Sequence, residues 1–131
     1  MGKKILIVDD ETKVLRVVEL RLKANGYEVI TAQDGEEGLQ KARTQAPDLI
    51  ILDIMLPKVD GYKVCGLLKN DARFCRIPVI LFTAKVLDQD RKTGEEVKAD
   101  AYLTKPYEPE ILLGKIKELM EKQARGDTPQ G

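Results

Sequence analysis

The chain contains no histidine. That absence removes histidine-ligated zinc, Ser-His and Cys-His nucleophile pairs and histidine general bases. Any chemistry must run on Asp, Glu, Lys, Thr, Tyr or a bound ion. Cysteine is scarce as well: Cys65 and Cys75 are the 2 present, in no metal-binding spacing. With no secretion signal they read as reduced thiols rather than a disulfide. No stretch approaches the roughly 20 apolar residues that a membrane span needs. The opening apolar run stops at Asp9, too soon for a signal peptide. Leu6 stands where an N-myristoylation pattern requires Ser or Thr. A cytoplasmic location is expected. Excess charge of either sign is also missing, since Lys plus Arg total 22 and Asp plus Glu total 22. This balance gives no support to a general nucleic-acid or membrane surface, so neither partner is expected.

What is present is a regular beat. The 131 residues are 43% apolar and 34% charged, enough for one globular core. Lys4 to Val8, "KILIV", is short, β-branched and nearly all apolar, as a strand buried on both faces is. Asp9, Asp10 and Glu11 open a helix with Val14, Leu15, Val18 and Leu22 at helical spacing, closed by Gly26. Tyr27 to Ala32 alternates like a strand nearer an edge. Asp34-Gly35 starts a second helix carrying Leu39 and Ala42, and Pro47 stops it. Leu49 to Asp53 is the third predicted strand, and Asp60-Gly61 leads into a third helix with Val64, Leu67 and Leu68. Pro78 to Ala84 is the fourth strand, a polar helix spans Asp88 to Lys98, and Ala101 to Thr104 is the fifth strand. A last helix runs from Pro109 to Lys122 with Ile111, Leu112, Ile116 and Leu119 as its apolar stripe. This alternation predicts a single α/β domain, a (βα)5 doubly wound, flavodoxin-like fold. The most apolar strands, one, three and four, belong in the centre of a parallel sheet of order 2-1-3-4-5.

In such a sheet the ligand site lies beyond the carboxyl ends of the strands, where the strand order switches. Strand one ends in Asp9-Asp10, strand three in Asp53, strand four in Thr83 and strand five in Thr104-Lys105. Topology therefore brings three carboxylates, a hydroxyl and an ammonium to one edge. Each has a plainer reading: Asp9, Asp10 or Asp53 as a helix cap or turn residue, Thr83 as an ordinary strand residue, Lys105 as a solvated end. Together they make a site. Two carboxylates about 4 Å apart repel by roughly 4 kcal/mol at an effective dielectric near 20, so three together demand a cation. Oxygen ligands without histidine or thiolate favour Mg²⁺. A cation, an ammonium and a hydroxyl suit phosphoryl oxygens, and an Asp among them can be the nucleophile.

The motifs "ILIVDDE", "LIILDIMLPKVDGY", "PVILFTA" and "ADAYLTKPYEPEIL", in this order and spacing, resemble the receiver domain of two-component response regulators. The resemblance runs from about Lys3 to Lys122, with residues 1–124 as the receiver and 125–131 as a polar, flexible tail. It implies that Asp53 is the phosphoacceptor, Asp10 the direct acidic ligand of Mg²⁺, Asp9 a ligand through water, and Met55 a donor of its backbone carbonyl. Thr83 and Lys105 would bind the phosphoryl group, and Lys105 would also pair with Asp53. Tyr102 matches the switch aromatic that turns inward when Thr83 moves toward the phosphate, and Pro106 a cis-proline position that aims Lys105. The plainer readings are a partly buried tyrosine and a helix-start proline.

The implied function is a switch rather than an enzyme, catalysing only its own phosphorylation and dephosphorylation. A histidine kinase or histidine phosphotransfer protein donates, and output passes through the surface of the fourth and fifth predicted helices and fifth strand. The recipient is a downstream protein target or an effector domain missing from this chain. A phosphorylation-dependent dimer is compatible with the family. Several positions depart from its common pattern. Lys98 stands where glycine is usual and Tyr107 where Phe is frequent. Met55 and Lys85, each two residues beyond a site residue, bear on the lifetime of the acyl phosphate. Gly114 interrupts the last helix at about 1 kcal/mol relative to Ala, with close packing against a partner as a candidate reason. An aspartyl-phosphate hydrolase would carry a second Asp where Met55 stands, and a flavin binder would not place Asp9-Asp10-Glu11 after strand one.

Overall fold

The computed structural model describes residues 2–83, 98–104 and 108–124. In chain order these form β1 (Lys4–Val8), α1 (Thr12–Ala24), β2 (Glu28–Ala32), α2 (Gly35–Gln45), β3 (Leu49–Asp53), α3 (Gly61–Lys69), β4 (Val79–Thr83), β5 (Ala101–Thr104) and α4 (Pro109–Ala124). The strands pair in parallel in the order β2-β1-β3-β4-β5. The doubly wound, flavodoxin-like α/β fold expected from the sequence is therefore present. α4 is the last of the predicted helices. The predicted helix between the fourth and fifth strands lies outside the described residues up to residue 97, as do Ala84, Lys85, Lys105, Pro106, Tyr107 and the tail from residue 125.

Strand alternation divides the core into two halves. Ile5, Ile7, Leu49, Ile51, Ile80 and Phe82 face α1 and α4, meeting Leu15, Val18, Leu22, Leu112 and Ile116. Leu6, Val8, Ile50, Leu52, Val79 and Leu81 face α2 and α3, meeting Leu39, Ala42, Val64 and Leu68. Both faces of the central strands are thus covered, which is why their sequences are almost unbroken apolar runs. β2 and β5 sit at the two edges and keep partial exposure.

The structure corrects several details. Tyr27 is not in β2: its N–H donates to Leu22 O at 3.1 Å, closing α1 together with Gly26 at φ 89°. β4 starts at Val79 rather than Pro78, because proline has no N–H for the ladder. Leu67 and Ile111 were assigned to apolar stripes but are 42% and 56% exposed. Val64, Cys65 and Leu68 form the buried face of α3, and Leu112, Ile116 and Leu119 that of α4. Lys98 has φ 64° and stands in a turn, so a helix cannot continue through it. A methyl at Gly114 would meet nothing of this chain within 4 Å, so packing within the domain is not the reason for that glycine. Neither Cys65 nor Cys75 is in a disulfide, and burial pushes the Cys65 thiol up to about 12.

Candidate functional site

β1 and β3 are neighbours, and Val8 pairs with Leu52. The chain leaves β1 toward α1 on one face of the sheet and leaves β3 toward α3 on the other. Asp9 and Asp53 stand where these two exits diverge, the switch point at which such sheets take their ligands. Carboxylate oxygens of Asp9, Asp10 and Asp53 lie within 4.8 Å of one another. Asp9 is 1% exposed and Asp53 4%, while Asp10 is open to solvent. Oδ1 of Asp9 accepts the Glu11 N–H at 2.8 Å, and Oδ1 of Asp53 accepts the Met55 N–H at 3.2 Å.

The capping alternative does not hold for these residues. Glu11, not Asp9 or Asp10, is the N-cap of α1, and it makes no side-chain cap hydrogen bond. Asp60, not Asp53, caps α3, accepting the Lys63 N–H at 2.9 Å. The donor set is carboxylate oxygen alone, two of the three groups are buried, and their oxygens lie near enough to one another to share one cation, directly or through water. These features fit Mg²⁺, which takes oxygen ligands and keeps several waters.

The segment after Asp53 is tightly folded. Gly61 N–H returns to Ile54 O at 2.9 Å, and Leu56 N–H reaches the same carbonyl at 3.1 Å. A Cβ on Gly61 would lie 2.2 Å from the Asp53 carbonyl oxygen, so only glycine lets α3 begin this close to the strand end. On its other side the segment is held by α2: Gly35 N–H donates to Pro57 O at 3.3 Å, and Lys58 Nζ lies 3.6 Å from Asp34. The Met55 side chain points away from this frame and is 75% exposed.

Thr83 and Thr104 end β4 and β5 side by side, so both strands stop at the same edge as Asp53. The side chain of Thr83 lies outside the described atoms, and Lys105 and Pro106 outside the described residues. Tyr102 pairs with Leu81, is partly buried, and its hydroxyl meets that of Tyr62 at 2.9 Å. Sequence reading missed Tyr62 and also the buried pair of Lys69 and Asp100, whose ions are 2.6 Å apart. Lys69 lies four residues after the buried Cys65, a position where an unpaired ammonium is unfavourable, and that spacing was the available signal.

An oxygen-only acidic cluster at the switch point of a doubly wound parallel sheet defines an α/β domain whose ligand edge could hold a cation. More narrowly, the chain belongs to the response regulator receiver domain family, which matches residues 5–117. It is 44% identical over 122 residues to the alkaline phosphatase synthesis transcriptional regulatory protein PhoP of Bacillus subtilis, covering 93% of this chain and 50% of that protein. Among solved structures it is similar to a CheY-like response regulator receiver domain protein from Methanospirillum hungatei, with TM-score 0.91, 32% identity, and 96% and 99% of the two chains covered. The receiver domain of a sensor histidine kinase from Pseudomonas aeruginosa, solved with magnesium in its active-site cleft, matches with TM-score 0.86, 30% identity, and 92% and 99% coverage.

Receiver domains of response regulators are two-component signalling switches that take phosphoryl groups from histidine kinases and signal to effector domains. The chain spans about half the length of the first curated relatives it matches. Those relatives include transcriptional regulators, so balanced charge in this domain gives no ground for expecting a protein without nucleic-acid contact. Among the described residues no helix is long and apolar enough to cross a membrane.

Proposed function

We propose that Asp53 accepts a phosphoryl group from a phosphohistidine on a partner histidine kinase or histidine phosphotransfer protein. The observation that carries this reading is the convergence of Asp9, Asp10 and Asp53 within 4.8 Å at the ligand edge of the sheet. One Asp53 oxygen is held by the Met55 N–H, which fixes the carboxylate without removing its lone pairs. It attacks phosphorus, the phosphorus–nitrogen bond breaks, and the electron pair returns to the donor imidazole, leaving an aspartyl phosphate.

Asp10, which is exposed, acts as the direct acidic ligand of Mg²⁺. Asp9, buried and engaged with Glu11, acts through water, and Met55 contributes its carbonyl. Bound Mg²⁺ supplies positive charge that offsets the carboxylates and the phosphoryl oxygens. Thr83 hydrogen-bonds the phosphoryl group and Lys105 pairs with it, with Pro106 aiming Lys105. The chain has no histidine, so it accepts from phosphohistidine without itself being such a donor.

Phosphorylation adds close to two negative charges, draws Thr83 and Lys105 inward, and shifts Tyr102 and the surface of β5, α4 and the preceding predicted helix. Moving that surface from 1:99 to 99:1 takes about 5.5 kcal/mol of differential interaction. Output passes to a protein target or to an effector domain, which in relatives like PhoP regulates transcription. Incubation with a small acyl phosphate and Mg²⁺, followed by intact mass, tests the reading. Wild type is expected to gain one phosphoryl group, and Asp53→Asn and Mg²⁺-free wild type none. An unlabelled wild type, or an equally labelled Asp53→Asn, would overturn it.

A further inference from the structure

Tyr62 is the second residue of α3, directly after the glycine lodged against the Asp53 carbonyl. Its backbone position is therefore set by the phosphoacceptor strand itself. Three contacts fix it: Gly61 N–H to Ile54 O at 2.9 Å, the Asp60 cap on Lys63 N–H at 2.9 Å, and Val64 N–H to Asp60 O at 3.0 Å. From this anchored turn the Tyr62 ring packs on the core cluster that includes Leu6, Ile50, Leu52 and Leu81. Its hydroxyl lies 2.9 Å from the hydroxyl of Tyr102, which packs on the same cluster from β5. The hydrogen bond thus crosses β4 and joins the start of α3 to the strand of the output surface.

Resting on the switch reading above, we propose that Tyr62 is the positioning residue that receives Tyr102 in its inward orientation. A Tyr102 ring turned to solvent leaves the cluster and cannot keep its hydroxyl against one anchored at Tyr62. The bond therefore favours the inward orientation by its own free energy, a net hydrogen bond equivalent to about a 2- to 10-fold bias. Linkage is reciprocal: whatever holds Tyr102 inward raises the affinity of the Asp53 pocket for the phosphoryl group, by at most the same factor. Tyr62 touches neither the phosphoryl group nor the metal in this scheme and acts through Tyr102.

The experiment is a double-mutant cycle read by calorimetric titration with beryllofluoride, a phosphoryl mimic, at fixed Mg²⁺, with thermal unfolding beside it. Tyr62→Phe keeps the ring and deletes the hydroxyl, and is expected to weaken beryllofluoride binding by up to about 10-fold. Tyr102→Phe loses a comparable factor, and the double variant Tyr62→Phe/Tyr102→Phe is expected to bind no more weakly than the poorer single one. Losses that multiply in the double variant, or a Tyr62→Phe that melts earlier but binds as wild type does, would overturn the assignment while leaving Asp53 as acceptor. A wild type that neither binds the mimic nor is labelled by acyl phosphate overturns both readings.

Discussion

Lys98 adopts φ 64°, a left-handed conformation that costs a residue with a Cβ about 1 kcal/mol. Glycine adopts it freely. The lysine is exposed and makes no ion pair among the described residues, so nothing there offsets the strain. Lys98→Gly is therefore expected to raise stability by about 1 kcal/mol, less what the more flexible glycine adds to the entropy of the unfolded chain. Urea unfolding checks this, and an unchanged or lower midpoint contradicts it. Lys98 was legible from the sequence as an anomaly, because its neighbours Ala99 and Asp100 set the frame. Asp53 was legible for a comparable reason: a carboxylate that ends a buried apolar strand needs a partner. Leu67 and Ile111 misled, since their apolar character says nothing about which side of a helix the sheet will cover.

At the scale of elements, α2 braces the loop that follows Asp53, and its own start depends on Asp34. The Asp34 carboxylate accepts the Glu37 N–H at 2.8 Å and the Glu37 carboxylate accepts the Gln33 N–H at 2.9 Å, a reciprocal cap. The Glu37 N–H bond, with Lys58 adding to it, holds the Asp34 carboxyl below its ordinary value of 3.8. A carboxyl with its folded pKa lowered stabilises above its unfolded value, and that stability is lost as pH falls through the folded one. Acidification through and below 3.8 is thus expected to release the Glu37 amide, seen as faster hydrogen exchange. Asp34→Ala should show the fast exchange at neutral pH. Equal protection in the two proteins would exclude the cap. Sequence revealed Asp34-Gly35 as a helix start, but the bond from Gly35 to Pro57 joins residues whose proximity only the packed sheet creates.

Across the whole molecule, the edge of the sheet opposite the acidic pocket is tied by one buried ion pair. Lys69 Nζ lies 2.6 Å from Asp100, with side chains 3% and 9% exposed. It also donates to the carbonyls of Cys75 at 3.2 Å and Ile77 at 2.8 Å, while Asp100 accepts the Val79 N–H at 2.8 Å. The pair thus joins the end of α3, the entry to β4 and the turn before β5. Removing one partner strands the other in the interior. Lys69→Met should cost about 3–5 kcal/mol in urea unfolding. A loss below about 1 kcal/mol, the worth of an exposed pair, would show that water reaches Asp100.

Sequence by itself determined the order of strands and the identity of the acidic residues. Alternating apolar runs and caps are local properties, and strand order follows from which runs are buried on both faces. Because every strand of a parallel sheet ends on the same edge, residues far apart in the chain could be assigned to one site before any distance was known. Tertiary structure alone decided the rest. Whether Tyr62 reaches Tyr102, whether Lys69 meets Asp100, and which leucine on α3 faces solvent all depend on how helices rotate and settle on the sheet. A hydrogen bond fails beyond a few tenths of an ångström, a tolerance that residue spacing does not encode.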